Sequence, residues 1–432
     1  MRRIVYLTAV PGQKTGTANY FDIFLDQCVL EGFAIEQLIV CDLAQGLPSD
    51  LELHGTKIID YKSYAWKPDD IVVCFIANND FHAFVLDFLL RSSKDAIIIS
   101  VIHDPQIFML SAAICAKGWF GFCHDDFVRF VRHEVGPGTD RMVHLFKEKS
   151  IPEILKYTLC CQSMTLEKSK YIIVHSHYAR LKLYLEHIDS VAPPPILVSS
   201  HPVREEPSIR TQSKKFVVGC FGWIARSKRP RQVMTAFAEF INTLPLDEQS
   251  CVELKFVGQL AEKSLSPVKI AASLKITPFV RHLGYVPADV FRQEVASTNL
   301  ILNLRYPSCG ETSGTLFHAI EAGGRVMLSD YQSFSEEPAV YHVSIDPDEE
   351  KNQIVEALKK EFQLWKIGAN QKQDDMKALA KKSASLVCLD VISNLIKRSN
   401  NGDGHESANR RHYSDHRGFP DVQANSQIRG ES

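Results

Sequence analysis

The sequence predicts an α/β protein made of two doubly wound, Rossmann-like domains in series. Three observations predict it. Short β-rich runs without polar alternation recur along the chain, as strands of a parallel sheet covered on both faces require. Segments of helical period separate them. A stretch rich in proline and charge, VAPPPILVSSHPVREEPSIRTQSKK (191–215), then interrupts the alternation, which starts again after it. At 432 residues the chain is too long for one ordinary core and suits two of roughly 150 to 200 residues.

In order, RIVYLTAV (3–10), FAIEQLIVC (33–41), IVVCFIA (71–77), AIIISVI (96–102), YIIVHS (171–176) and ILVSS (196–200) read as strands of a first domain, 1–200. A helix over 17–31 gathers Tyr20, Phe21, Phe24, Leu25 and Cys28 at helical spacing, and 119–170 reads as a partly helical insertion. Residues 201–214 form the linker and 215–397 the second domain. Its strands are FVVGCFGW (216–223), VELKFVG (252–258), a short one within VRHLGYV (280–286), LILNL (300–304) and RVMLSD (325–330). Helices are expected at 229–243, 262–274, 288–297 and about 374–397. Residues 398–432 have almost no aliphatic side chains and read as disordered.

A net charge of −2 with 23% charged and 45% apolar residues suits a globular protein and shows no nucleic-acid footprint. Eleven cysteines without CxxC pairs or zinc spacing favour reduced, buried thiols and a cytoplasmic setting. The apolar run near the start stops at a proline, so a first strand is expected there in place of a signal peptide. No apolar run reaches the roughly 18 residues of a membrane span.

The chemistry is concentrated in YPSCGETSGTLFHAIEAGGRV (306–326), which reads as loop, helix and the start of a strand following LILNL. A helix beginning near Thr312 or Ser313 leaves the amides of Ser313, Gly314 and Thr315 without intrahelical partners, and those amides with the helix dipole suit a phosphate. Gly314 has no side chain to block the ligand's approach, and Gly323-Gly324 stop the helix. A capped core helix without ligand explains this stretch alone equally well. The second cue is CFGWIARSKRP (220–230): Gly222 after a strand, then Arg226, Lys228 and Arg229 in one turn, cations able to neutralise a leaving diphosphate. No carboxylate pair stands in a metal-binding context, so no metal or other cofactor is expected.

These stretches, together with LKFVGQ, VRHLGYVPADVF and FSEEP (334–338), resemble the donor domain of GT-B-fold retaining glycosyltransferases of the family 4-like group, in particular a GETSG subgroup often found in bacterial polysaccharide gene clusters. GTANYFDIFLDQ (16–27), IANNDFH (76–82), VIHDPQIF (101–108) and IIVHSHYARLKL (172–183) resemble the acceptor domain of the same group. The resemblance implies a nucleotide-sugar donor between the two domains and a saccharide or lipid-linked acceptor, the latter compatible with peripheral contact at the inner face of a membrane. It places Lys228, helped by Arg226 or Arg229, on the diphosphate, and the amides of Ser313, Gly314 and Thr315, after Glu311 and Thr312, on the distal phosphate. Gly16 and Thr17 close over the phosphates or sugar, His103 stands near the sugar with Asp104 orienting it, and Gly258 and Leu283–Tyr285 frame the base. The usual E-x7-E pattern is missing: its second position is His318, its first falls at Gly310 beside Glu311, and Trp223 stands where an arginine is usual. His318 and Glu311 are therefore the candidates for the ribose, with Glu311 also at the catalytic centre. Arg305 is a further candidate donor ligand. His175 and His177 read as strand-end surface residues. A catalytically silent nucleotide-sugar-binding subunit and an epimerase of the same fold remain alternatives.

Overall fold

The computed structural model describes residues 3–28, 35–45, 51–93, 95–186, 193–204, 213–369 and 384–400. Met1–Ile392 forms one compact unit and Ser393–Ser432 another. The first unit holds two sheets. Strands β1 (Arg3–Leu7), β2 (Glu36–Cys41), β3 (Glu52–Leu53), β4 (Thr56–Asp60), β5 (Ile71–Ile76), β6 (Ile97–Ile102), β7 (Tyr171–Val174) and β8 (Ile196–Val198) run in the order β3-β4-β2-β1-β5-β6-β7-β8, parallel except for β3. Strands β9 (Phe216–Phe221), β10 (Val252–Val257), β11 (Val280–Gly284), β12 (Leu300–Asn303), β13 (Arg325–Ser329) and β14 (Tyr341–Val343) form a parallel sheet in the order β11-β10-β9-β12-β13-β14.

Most strands stop short of the apolar runs that foretold them, because the runs continue as buried loop. Ala9 and Val10, beyond β1, are fully buried without being strand. Side chains alternate across the second sheet. Phe216, Val218 and Cys220 meet the helix Pro230–Asn242 on one face, while Phe221, Val257, Ile301 and Leu328 pack on the other with Leu316, Phe317 and Ile320 of the helix Gly314–Glu321. Apolar residues on both faces are what such a sheet needs. β3, β4 and β14 are too short or too polar to stand out in the sequence. The helices Ala83–Arg91 and Pro347–Lys366 also escaped the sequence reading. The latter starts at an Asp346 cap with Pro347 in its first turn and buries Glu350, Ile354, Leu358, Glu361 and Phe362. The expected 119–170 insertion contains the helices Val128–Val135, Thr139–Lys147 and Ser163–Lys168. The last helix is Ala384–Asn400; the start expected near 374 and the expected disordered tail beyond residue 400 lie outside the described residues.

Strand order positions the site. β9 lies between β10 and β12, and β1 between β2 and β5, so each sheet has a switch point where the flanking connections leave on opposite faces and open a crevice at the carboxyl ends. The two sets of loops touch there. The Thr312 amide donates to the His103 carbonyl at 3.1 Å, and Gly310 packs against Tyr178 and Pro105. Glu336 accepts the amides of His177 (2.6 Å) and Tyr178 (2.5 Å), which begin the helix His177–Glu186.

Candidate functional site

The helix Gly314–Glu321 starts after Ser313, the second of the two cap residues its sequence offered. Ser313 holds the cap position, but its hydroxyl pairs with Asn303 at the end of β12 (2.9 and 3.2 Å) and makes no cap bond. The first intrahelical bonds are made by Leu316 and Phe317 to the Ser313 carbonyl, and the Thr312 amide is taken by His103. Among the described residues no group accepts from the amides of Gly314 and Thr315. A methyl group on Gly222 would lie 2.7 Å from Lys228 Nζ and 3.3 Å from Thr315 Oγ1. Lys228 and Thr315 thus converge over the only residue type that leaves that point free, and Gly222 also has φ +80°.

The three cations of the 226–229 turn fare differently. Arg226 is exposed and forms a two-pronged pair with Glu262 at 2.9 Å. Arg229 bonds Glu350 through Nε at 2.8 Å and again through Nη2, and it lies over the Tyr306 ring. Lys228 meets no carboxylate; its ammonium donates to the Phe221 carbonyl at 2.5 Å. Burial, then the nearby Arg305 guanidinium, lower its pKa well below the ordinary lysine value, and Glu311 opposes this only weakly. Arg305 is itself buried, donating to Glu311 at 3.1 Å and to the Leu304 carbonyl at 3.0 Å.

Glu311 does not reach outward. Its carboxylate accepts from Arg305, from the Ser308 hydroxyl at 2.7 Å and from the Cys309 amide at 2.8 Å, and so ties the loop together. His318 sits between Glu321 (3.3 Å) and Asn19 of the helix Gly16–Gln27 (3.4 Å). Gly258 is needed for the backbone: a Cβ there would fall 1.9 Å from the Gly222 carbonyl, so it lets two strand ends touch.

Across the crevice, Gly16 starts its helix with open space around it, and the Thr17 hydroxyl meets His82 Nε2 at 2.8 Å. His82 Nδ1 faces the Phe75 carbonyl at 2.8 Å, so the ring carries its proton on Nδ1 and accepts from Thr17. His103 and Asp104 follow β6. Asp104 accepts from the Asn78 amide at 2.5 Å, and burial, then Glu311, push its pKa up to about 7. Burial, then the neighbouring His175, hold His103 well below the usual histidine range and therefore neutral. His175 is not at the surface: it is 7% exposed and stacks on His103, while His177 is exposed.

Sequence reasoning missed Asn303, which holds Ser313 away from the cap; a polar residue inside the run LILNL was the available signal. It also missed Glu350 and Glu336, whose partners are remote in sequence.

No family model and no curated protein matches the chain. Solved structures do. The N-terminal domain of Candida albicans trehalose-6-phosphate phosphatase is similar over 92% of this chain and 97% of that one, with a TM-score of 0.57 at 10% identity. Trehalose-6-phosphate synthase OtsA is similar over 92% and 99%, with a TM-score of 0.55 at 9% identity. HepE of Anabaena, solved in complex with UDP and glucose, is similar over 91% and 99%, with a TM-score of 0.52 at 12% identity. At such identities the likeness establishes the fold, which is GT-B. Among the described residues no helix is long and apolar enough to cross a membrane.

Proposed function

We propose that the chain is a glycosyltransferase that moves a sugar from a nucleoside-diphosphate donor to an acceptor hydroxyl. The observation that carries this is the convergence of the Lys228 ammonium and the Thr315 hydroxyl over Gly222, beside the unpaired amides of Gly314 and Thr315. Arg305 is paired with Glu311 and Lys228 has no carboxylate partner, so a dianionic group that brings Lys228 its proton would be held at this point. Negative charge grows on the leaving phosphate as the glycosidic bond breaks, and preformed donors stabilise it more than the ground state. In this reading Lys228 and Arg305 do the work a divalent metal does elsewhere. No side-chain nucleophile is assigned. Attack on the face the diphosphate leaves, with that phosphate taking the acceptor's proton, gives retention. His103 and Asp104 line the sugar's side, Gly16 and Thr17 approach from the first sheet, and Glu311 acts by holding its loop. The acceptor is a saccharide, free or lipid-linked, in polysaccharide or glycoconjugate assembly.

One observation favours a second reading, donor binding without turnover: Glu311 is fully spent on Arg305, Ser308 and Cys309. A melting panel with UDP-, GDP- and ADP-sugars tests both. A ligand at a hundred times its Kd stabilises by about 2.7 kcal/mol. Lys228→Ala is expected to remove that shift and to lower turnover roughly 10²- to 10³-fold. If no nucleotide sugar raises the melting temperature, both readings fail. A shift without turnover or donor hydrolysis, over a panel of acceptors, selects the second.

A further inference from the structure

Away from the proposed donor site, three ionisable side chains from three segments meet at one point. Glu134 lies near the end of the helix Val128–Val135, Cys160 in the turn before the helix Ser163–Lys168, and Glu186 ends the helix His177–Glu186. One carboxylate oxygen of each glutamate and the Cys160 sulfur all lie within 4.8 Å of one another. In a tetrahedral zinc site, with Zn–O near 2.0 Å and Zn–S near 2.3 Å, such atoms stand about 3.3 to 3.5 Å apart, so a modest side-chain adjustment closes the site. Cys160 is fully buried and both glutamates are half-buried. Glu134 is already fixed in place: its two oxygens accept from the Cys160 amide at 2.6 Å and the Cys161 amide at 2.5 Å. Ligating carboxylates are held by such hydrogen bonds, and each oxygen keeps a lone pair for a metal.

The cluster is short of positive charge. Burial, then Glu186, raise the pKa of Glu134; burial raises that of Glu186; burial, then the two glutamates, raise that of the Cys160 thiol. The cations that act on it are engaged elsewhere: Lys182 donates to the Thr158 carbonyl at 3.2 Å, and His133 meets Glu167 at 3.2 Å. Glu186 Oε2 is out of reach of solvent and has no hydrogen-bond partner. Only a proton carried by Glu134 or by the thiol, or a metal ion, can satisfy it. A sulfur beside two carboxylates suits zinc, whereas calcium and magnesium take oxygen alone.

We propose that Glu134, Cys160 and Glu186 form a zinc site, with water in the fourth position. Zn²⁺ replaces the thiol proton and the proton shared by the two carboxyl groups, so binding releases about two protons. The Cys160 carbonyl accepts from the Ile107 amide at 2.8 Å, and Gln162 donates to the Asp104 carbonyl at 3.0 Å. The bound ion thereby braces the turn behind the loop that carries His103 and Asp104. The site does not depend on the transferase reading.

The test uses the full chain, stripped of metal with a chelator and dialysed, and Co²⁺ as a coloured probe for zinc sites. A single equivalent of Co²⁺ is expected to give the visible bands of a tetrahedral ion and a thiolate-to-cobalt band in the near ultraviolet, both removed by a single equivalent of Zn²⁺. Zn²⁺ should also raise the melting temperature. Cys160→Ser is expected to lose the thiolate band, and Glu186→Gln to weaken Zn²⁺ binding at least about tenfold. If Cys160→Ser does not fold, Glu186→Gln, changed at a half-buried side chain, still decides. No band at millimolar Co²⁺, a thiolate band that survives Cys160→Ser, or an unchanged Zn²⁺ affinity in Glu186→Gln overturns the proposal and leaves a shared proton between the two carboxyl groups.

Discussion

The two sets of strand-end loops that meet across the crevice use their polar groups in opposite ways. After β9 and β12, the amides of Gly314 and Thr315 have no acceptor among the described residues, and Lys228 donates only to the Phe221 carbonyl. After β1 and β6, Thr17 is bonded to His82, Asp104 to the Asn78 amide, and His103 is packed among rings. In the proposed reading the first arrangement meets charge that arrives with a ligand. The second is a wall whose groups are already set, so it selects by shape and by a few fixed donors.

Glycines break this contrast most sharply. Gly222→Ala puts a methyl 2.7 Å from Lys228 Nζ at a φ of +80°. It is expected to cost about 1–2 kcal/mol in backbone strain and to abolish the donor-induced melting shift. Gly16→Ala, with nothing within 4 Å, should leave or slightly raise stability. Urea melts with and without UDP compare the two; equal losses would mean the two sides are alike.

Protonation is the next lever. Lys228 titrates below the 10.5 of a free lysine, chiefly through burial. Between its folded value and 10.5 the unfolded chain binds more protons, so this group makes stability rise with pH. A diphosphate favours the ammonium and reverses the shift. Binding is therefore expected to take up protons, and affinity to fall as pH rises through the folded value. Calorimetry in buffers of different ionisation enthalpy, repeated up to the pH at which a free lysine titrates, reads the uptake directly, and its absence throughout that range removes Lys228 from the contact.

Asp104 gives a smaller effect of opposite sign. Its pKa rises from 3.8 to about 7, through burial and then Glu311, so the folded state binds the extra proton and stability falls as pH rises across that window. Asp104→Asn should raise the melting temperature above about pH 8 and bring no gain near pH 4. A uniform change at both would show that the Asn78 bond, and not ionisation, decides. Least of all, Arg226→Ala should change neither melting nor donor binding, since Arg226 is exposed and its pair with Glu262 is surrounded by water.

The parallel sheets were legible in the sequence because apolar runs report two-sided burial directly, and a glycine, hydroxyl residues and another glycine opening a helix report a helix mouth. What stayed hidden were partnerships made by distant segments. The sequence shows three cations in one turn, but only Glu350, from a helix more than a hundred residues on, reveals that Arg229 is occupied. The loop glutamate Glu311 looked like a ligand group because its three partners could not be counted before folding. His175 looked superficial because a strand end is solvated in general, and only Tyr20 and His103 make this one interior.

Glu336 lays one carboxylate on the positive end of a helix that belongs to the opposite sheet. A fastening made of a single charge and two amides weakens as ions crowd around it. Raising the ionic strength is therefore expected to loosen this one contact between the two sheets, while the Thr312–His103 bond, made by neutral backbone groups, is expected to hold.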